Sequence, residues 1–345
     1  MKICLIAQPS ISLVSGGPLV QVRQTARYLQ ELGIEVEYFD QWKEYPPGSF
    51  DLAHIFGANF MNYDTALRLK QFAIPFVVSP IFFTLRSASV IRKTRMVERR
   101  LGRFVGGVWT DYGFSARVCS LADRVLPNTH AEGALIEHGF EVPGERIRVV
   151  PNGVERRFLD ADPELFIRTY GVRDFILNVG HIGSPRKNVL KLLEALRDID
   201  RPAVIIGRVQ QNEYSERCLA EAARNPRVTI IPGLANDSEM LASAYAAASL
   251  FVLSSLFETP GIAALEAALA GAAVTITRHG GTEDYFGPRA DYVDPASVGS
   301  IRDGIKRGLE RPRDGSLREH IRGRFLWEQV AAMTADVYQE IVESR

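Results

Sequence analysis

Two carboxylates and two cations in this chain have the types and spacing to hold a phosphorylated sugar. Glu258 and Glu266 flank the stretch TPGIAAL, so one precedes a predicted helix and the other falls within its first turns. Thr259 and Pro260 suit an N-cap and a first helical position, which would leave the backbone N–H groups near Gly261 and Ile262 pointing out of the helix start as an anion site. An otherwise Ala- and Leu-rich helix has little structural use for Glu266 unless it is paired or solvated, and carboxylates there can accept hydrogen bonds from sugar hydroxyls. A surface glutamate beside a capping glutamate is the plainer reading of the pair.

Upstream, the loop Gly180-His181-Ile182-Gly183-Ser184-Pro185-Arg186-Lys187-Asn188 follows an apolar run and carries two cations to the start of the next helical pattern. Arg186 can grip two phosphate oxygens in a fork while Lys187 adds a point charge; a solvated pair of loop cations is the alternative. Near the N-terminus, Ser15-Gly16-Gly17-Pro18 leads from an apolar run into a helix, a turn that lets backbone approach a ligand or simply relieves strain. It lacks the third glycine and the acidic strand end of a dinucleotide fingerprint. Asp160-Ala161-Asp162 has a metal-binding spacing but sits in a polar crossing, and no metal site is assigned.

Alternating patterns define the elements that must hold these residues. Ile3–Ala7, Glu35–Phe39, Leu52–Phe56 and Phe76–Ser79 read as strands, with a helix over Leu19–Leu32 closed by Gly33. A second series runs through Phe175–Val179, Ala203–Ile206, Val228–Ile231, Leu250–Leu253 and Ala273–Thr277. Strand and helix in alternation imply right-handed βαβ units and parallel sheets, hence an α/β chain of two Rossmann-like, doubly wound lobes facing a cleft, with ligands at the carboxyl ends of the strands. The charged, breaker-rich segment Pro151–Glu164 is the expected crossing, dividing residues 1–150 from 151–325. Met240–Phe257 is uncharged and long enough to span a bilayer, but its serines and its change from Ala-rich to β-type composition make it a helix followed by a strand.

The 345 residues suit two domains, and 46% apolar with 24% charged residues excludes disorder, collagen and coiled coil. Forty-one Lys and Arg balance forty-one Asp and Glu, so nothing in the overall charge draws the chain to nucleic acid. Cys4, Cys119 and Cys218 are widely spaced and odd in number, which fits buried thiols in a reducing, cytoplasmic setting, and MKICLIAQPS reads as a first strand rather than a signal peptide.

Glu258 and Glu266 stand in the E-x7-E spacing of retaining glycosyltransferases with the two-lobed GT-B fold, and the chain resembles glycosyltransferase family 4. VVPNGVERRF at Val149–Phe158, NVGHIGSPRKN at Asn178–Asn188, GGTEDYF at Gly280–Phe286 and FLWEQVAAMTADVY near the end are similar to that family's blocks and follow its order. The resemblance implies a metal-independent, retaining glycosyltransferase that uses a UDP-, GDP- or ADP-sugar and no cofactor, working on a saccharide or lipid-linked acceptor in bacterial surface glycan or glycolipid assembly. It implies that Glu266 binds the ribose, Glu258 the donor sugar, and Arg186 and Lys187 the diphosphate. Gly261 and Ile262 would donate backbone N–H groups, with Gly16 and Gly17 approaching from the N-terminal, acceptor-side lobe, onto which a final helix over 326–345 returns. The pattern departs at His181, where the family often has Arg, at Ile81, where it often has His, and at Thr259-Pro260. A GT-B-like epimerase or phosphorylase and a non-catalytic nucleotide-sugar-binding scaffold are the alternatives.

One local charge cluster stands apart. Between Arg86 and Arg103 seven cations face the single acid Glu98. At about 100° per residue Val90, Val97, Leu101, Phe104 and Val105 share one face and Arg92, Arg95, Arg99 and Arg103 the opposite one. The expectation is that the apolar face packs on the lobe, while the arginines are solvated or meet an anionic membrane as a peripheral contact.

Overall fold

Cys4 and Ile6 point to one side of the first strand and Ile3 and Leu5 to the other, and all four are buried. A strand apolar on both faces must be covered on both, and the computed structural model, which describes residues 1–13, 16–105 and 107–344, meets that demand with helices on either side of two parallel sheets. The chain divides into two compact units, Met1–Gly153 with Trp327–Arg345, and Val154–Leu326.

In the first unit the order is β1 (Lys2–Ala7), α1 (Gly17–Glu31), β2 (Glu35–Tyr38), β3 (Leu52–Phe56), α2 (Phe60–Gln71), β4 (Phe76–Ser79), α3 (Ala88–Leu101), α4 (Asp111–Leu121), β5 (Arg124–Val125) and α5 (His130–Phe140). The strands pair in parallel as β2-β1-β3-β4-β5. Ala53, Ile55, Phe76 and Val78 line the core on one side of this sheet, and Leu52, Phe56 and Val77 that on the other.

The second unit runs α6 (Glu164–Tyr170), β6 (Phe175–Val179), α7 (Val189–Leu196), β7 (Ala203–Ile206), α8 (Glu213–Ala222), β8 (Val228–Ile231), α9 (Glu239–Ala247), β9 (Ala248–Leu253), α10 (Ile262–Ala270), β10 (Ala273–Thr277), α11 (Thr282–Phe286), β11 (Asp291–Val293), α12 (Val298–Glu310) and α13 (Ser316–Arg324). Its sheet order is β11-β10-β9-β6-β7-β8, again parallel throughout. The uncharged stretch before Glu258 is α9 followed by β9, and no described helix is long and apolar enough to cross a membrane.

The crossing is tighter than the polar composition of Pro151–Glu164 suggests. Val154 donates its N–H to the Phe325 carbonyl at 2.7 Å and Phe158 packs edge-on against Tyr245, so both are core residues of the second unit rather than parts of a loose linker. The last helix, α14 (Trp327–Glu343), belongs to the first unit. Trp327 stacks on Tyr28 of α1, and the Tyr338 hydroxyl meets Nδ1 of the buried His54, whose Nε2 lies 2.9 Å from Ser79 Oγ. Burial holds His54 neutral, with its pKa lowered to about 3, so this histidine ties α14 to β3 and β4. The three cysteines are free and buried.

Helix α3 departs from expectation. Val90, Val97, Leu101, Phe104 and Val105 are exposed, Phe104 by 86%, while Ile91 and Glu98 turn inward. Close approach of two glycines sets this rotation. A Cβ on Gly139 of α5 would lie 3.2 Å from Ile91, and one on Gly113 of α4 would overlap the Glu98 carboxylate. Glu98 accepts the Thr110 hydroxyl, whose oxygen in turn caps α4 by accepting the Gly113 N–H at 3.0 Å. Arg95, instead of facing solvent, donates to the Gly139 carbonyl at 2.9 Å and pairs with Glu141, as does Arg99. Arg92 and Arg103 are exposed.

Candidate functional site

In the second sheet the chain leaves β6 toward β7 and later returns on β6's other side as β9, so the loops following β6 and β9 emerge side by side. In open parallel sheets such a switch point is where ligands bind. The expected cations and carboxylate lie on these two loops.

The first loop ends in one 3-10 turn, Pro185–Lys187, closed by Asn188 in a left-handed conformation. The buried Asn188 amide donates to the Ser254 and Pro295 carbonyls at 2.9 and 2.8 Å. Leu256 N–H reaches the Arg186 carbonyl at 2.8 Å, and the Arg186 guanidinium donates to the Phe257 carbonyl at 3.1 Å. The two loops are thus joined through backbone as well as side chains. Across them Lys187 Nζ stands 2.7 Å from Glu258 Oε1, with Arg186 Nη1 3.5 Å from the same oxygen. The side chains of Glu258, Lys187 and Arg186 are 8%, 18% and 41% exposed, so the carboxylate lies beneath two cations that reach progressively further into solvent. Burial alone pushes the Glu258 carboxyl up, but Lys187 and Arg186 outweigh it and hold it below the usual carboxylate range.

Glu258 is locked through its backbone too. Its N–H donates to the His279 carbonyl at 3.0 Å and its carbonyl accepts from Gly281 at 3.1 Å. Gly280 closes against that carbonyl at a φ of 107°, where a Cβ would lie 1.8 Å from the Glu258 oxygen. The Gly-Gly pair that opens GGTEDYF therefore positions Glu258.

Helix α10 starts later than Thr259-Pro260 suggests. Gly261 is its N-cap in a left-handed conformation (φ 71°) that Thr or Pro does not adopt, and the first helical residue is Ile262. The Gly261 carbonyl accepts the Ala264 N–H at 2.8 Å, so Ile262 lies in the first turn, whose N–H groups precede the helix's own acceptors. Glu266, one turn on, does not join the Lys187 cluster among the described contacts. It accepts the hydroxyl of the fully buried Tyr245 of α9 at 2.7 Å, and burial raises its pKa to about 7 against the pull of that hydroxyl and Arg157. His181 is partly buried just beyond β6.

In the first unit Gly16 is the N-cap of α1 and Gly17 its first residue, while Ser15 lies outside the described residues. Gly16 has an extended φ of 170°, and among the described residues a Cβ there would meet only Pro18 Cδ, at 3.9 Å, so neither backbone strain nor a described packing contact calls for glycine. Among the described residues no group of three His, Cys, Asp or Glu side chains is arranged as a metal site.

Sequence reasoning assigned no role to Asn178, Asn188 or Tyr245. Asn178 crosses to the Val252 carbonyl at 2.7 Å, and among the described residues its Oδ1 is buried without a partner, as is Ser254 Oγ just past the end of β9. An asparagine inside the apolar run FILNV was the available signal.

A family model described as glycosyl transferases group 1 matches residues 168–323. A D-inositol 3-phosphate glycosyltransferase of Streptomyces coelicolor is 33% identical over 341 residues, covering 88% of this chain and 72% of that protein. The MMP alpha-(1->4)-mannosyltransferase of Mycolicibacterium hassiacum is 29% identical over 249 residues, 67% of this chain. That match covers 58% of the mannosyltransferase, less than two thirds of its length. Among solved structures, Anabaena HepE in complex with UDP superposes with a TM-score of 0.72 at 18% identity, covering 99% of this chain and 100% of that one, which shows a shared GT-B fold.

Proposed function

Since the chain belongs to the group 1 glycosyl transferases of glycosyltransferase family 4, we propose that it transfers a sugar from a UDP-, GDP- or ADP-sugar to an acceptor hydroxyl, with retention of configuration and without a metal. The observation that carries this reading is the convergence of Lys187 and Arg186 on Glu258 at the switch point of the second sheet. The departing diphosphate gains negative charge as the glycosidic bond breaks, and preorganised cations stabilise that charge most. A two-cation site does the work that a divalent ion does elsewhere, which supports metal independence.

Glu258 has two tasks in this account. Its carboxylate aims Lys187 and Arg186, and on donor entry it contacts the sugar while the phosphates take the cations. The first-turn N–H groups of α10 at Gly261 and Ile262 add donors to phosphate or sugar, Glu266 takes the ribose hydroxyls with Tyr245 orienting it, and His181 lines the donor site. The open, extended Gly16 and the start of α1 at Gly17 leave room for backbone N–H groups to meet a phosphate oxygen. The acceptor, a saccharide or a lipid-linked one, is the first unit's to bind, and a place in surface glycan or glycolipid assembly at the cytoplasmic membrane face is the reading that the exposed amphipathic α3 supports.

Release of nucleoside diphosphate from UDP-glucose, GDP-mannose and ADP-glucose in EDTA, with monosaccharide and glycolipid acceptors, tests the reading. A product with the donor's anomeric configuration is expected. Turnover only with inorganic phosphate would mean a phosphorylase, and sugar interconversion without transfer an epimerase.

A further inference from the structure

We infer that α3 docks on an anionic lipid leaflet with its apolar side toward the acyl chains, and that the cations engaged there are Lys93 and Arg100 rather than Arg95 and Arg99. Residues 85–109 carry eight of the chain's exposed large hydrophobic side chains, among them Leu85, Val97, Leu101, Phe104 and Val105. At about 100° per residue Val90, Val97 and Leu101 form one stripe, Thr94 completing it, and Phe104 and Val105 extend it past the helix end. Lys93 and Arg100 fall along one edge of that stripe, exposed and without a carboxylate partner among the described residues. Arg95 and Arg99 lie on the far side and are engaged with Glu141.

An exposed apolar stripe edged by cations is the composition of a helix lying in a bilayer interface, stem and ring buried at the acyl boundary and charges at the headgroups. Charge decides the occupant. A second copy of this face would set the exposed Lys93 and Arg100 edge against an edge of the same charge, whereas a leaflet of anionic headgroups complements it. The rotation that exposes the stripe is built in by Gly113, Gly139 and the buried Glu98, so it is a property of the fold.

The inference rests on the reading of a transferase working at a membrane face, yet its test uses no donor, so the two can fail separately. Flotation with phosphatidylcholine vesicles, with and without one third phosphatidylglycerol, should show binding only to the anionic set. Lys93→Ser with Arg100→Ser should weaken binding by about thirtyfold at low salt, as expected for two cations near an anionic surface. Leu101→Ser with Phe104→Ser should abolish binding to the anionic vesicles even at low salt. Calorimetric titration with UDP, GDP and ADP, run on each variant, should be unchanged. Absence of binding to either vesicle, equal binding to both, or a concentration-dependent dimer in light scattering that the Leu101/Phe104 variant dissolves would overturn the inference, the last in favour of self-association. Vesicle binding left intact by both variants would overturn it as well.

Discussion

Lys187 Nζ and Glu258 Oε1 lie 2.7 Å apart although the two residues are seventy-one positions apart in the chain. The pair joins the loop after β6 to the loop after β9, and each partner is placed by backbone contacts of its own. Removing one partner from a largely buried pair leaves the other charge uncompensated, whereas removing both does less harm. Lys187→Met and Glu258→Gln should each destabilise the chain by about 1–3 kcal/mol, and the double variant should recover part of the loss. Denaturant titration of the four proteins measures the coupling. Additive losses would show that the contact contributes nothing to folding.

Gly280 and Gly271 both adopt a left-handed φ, 107° and 102°, but only Gly280 abuts backbone. Gly271→Ala should cost about 1 kcal/mol, the conformational penalty alone. Gly280→Ala adds a collision with the Glu258 carbonyl and should cost at least about 1 kcal/mol more, displacing Glu258 and lowering transfer with it. Chemical denaturation of both variants beside a transfer assay checks this. Equal costs would mean that the loop yields freely and does not position Glu258.

The pH dependence of stability should carry the mark of Glu266. Its carboxyl ionises at about 7 in the folded chain and near the ordinary 4.5 when unfolded, so the folded state holds a proton that the unfolded state releases. That contribution is full below pH 4.5 and is lost as pH rises through about 7. Glutamine at 266 still accepts the Tyr245 hydroxyl and cannot ionise. Glu266→Gln should therefore match the parent at pH 4.5 and exceed it by about 1–2 kcal/mol at pH 8, allowing for the site's partial exposure. Buried Glu132, also raised to about 7, is common to both proteins and cancels in the difference. Parallel curves of melting temperature against pH would refute the assignment.

Both sheets were legible because parallel strands buried on two faces read as short apolar runs; nine predicted strands coincide with observed ones to within a residue or two, the outer strands β2 and β8 being the ones not buried in this way. The pairs Arg124–Val125 and the triplet Asp291–Val293 carry too few residues for any pattern to register. Composition also located the loops that bear Arg186, Lys187 and Glu258. What it could not supply was tertiary. The left-handed turn at Gly261 moves the start of α10 two residues past its apparent cap. In α3 the periodicity separates an apolar stripe from a basic one without saying which packs, and glycine contacts on α4 and α5 decide that against the usual rule.

If Lys187, Arg186 and Glu258 form a metal-independent site for the diphosphate of a nucleotide-sugar, isothermal titration calorimetry in EDTA shows it most directly. UDP, GDP and ADP would be titrated into the parent protein and into Lys187→Ala, with folding of the variant confirmed by circular dichroism. One nucleoside diphosphate should bind the parent without added metal and bind Lys187→Ala at least about tenfold more weakly, the loss of one charge-assisted contact. Binding of none of the three, binding that appears only when Mg2+ or Mn2+ is restored, or equal affinity in the two proteins would contradict the account.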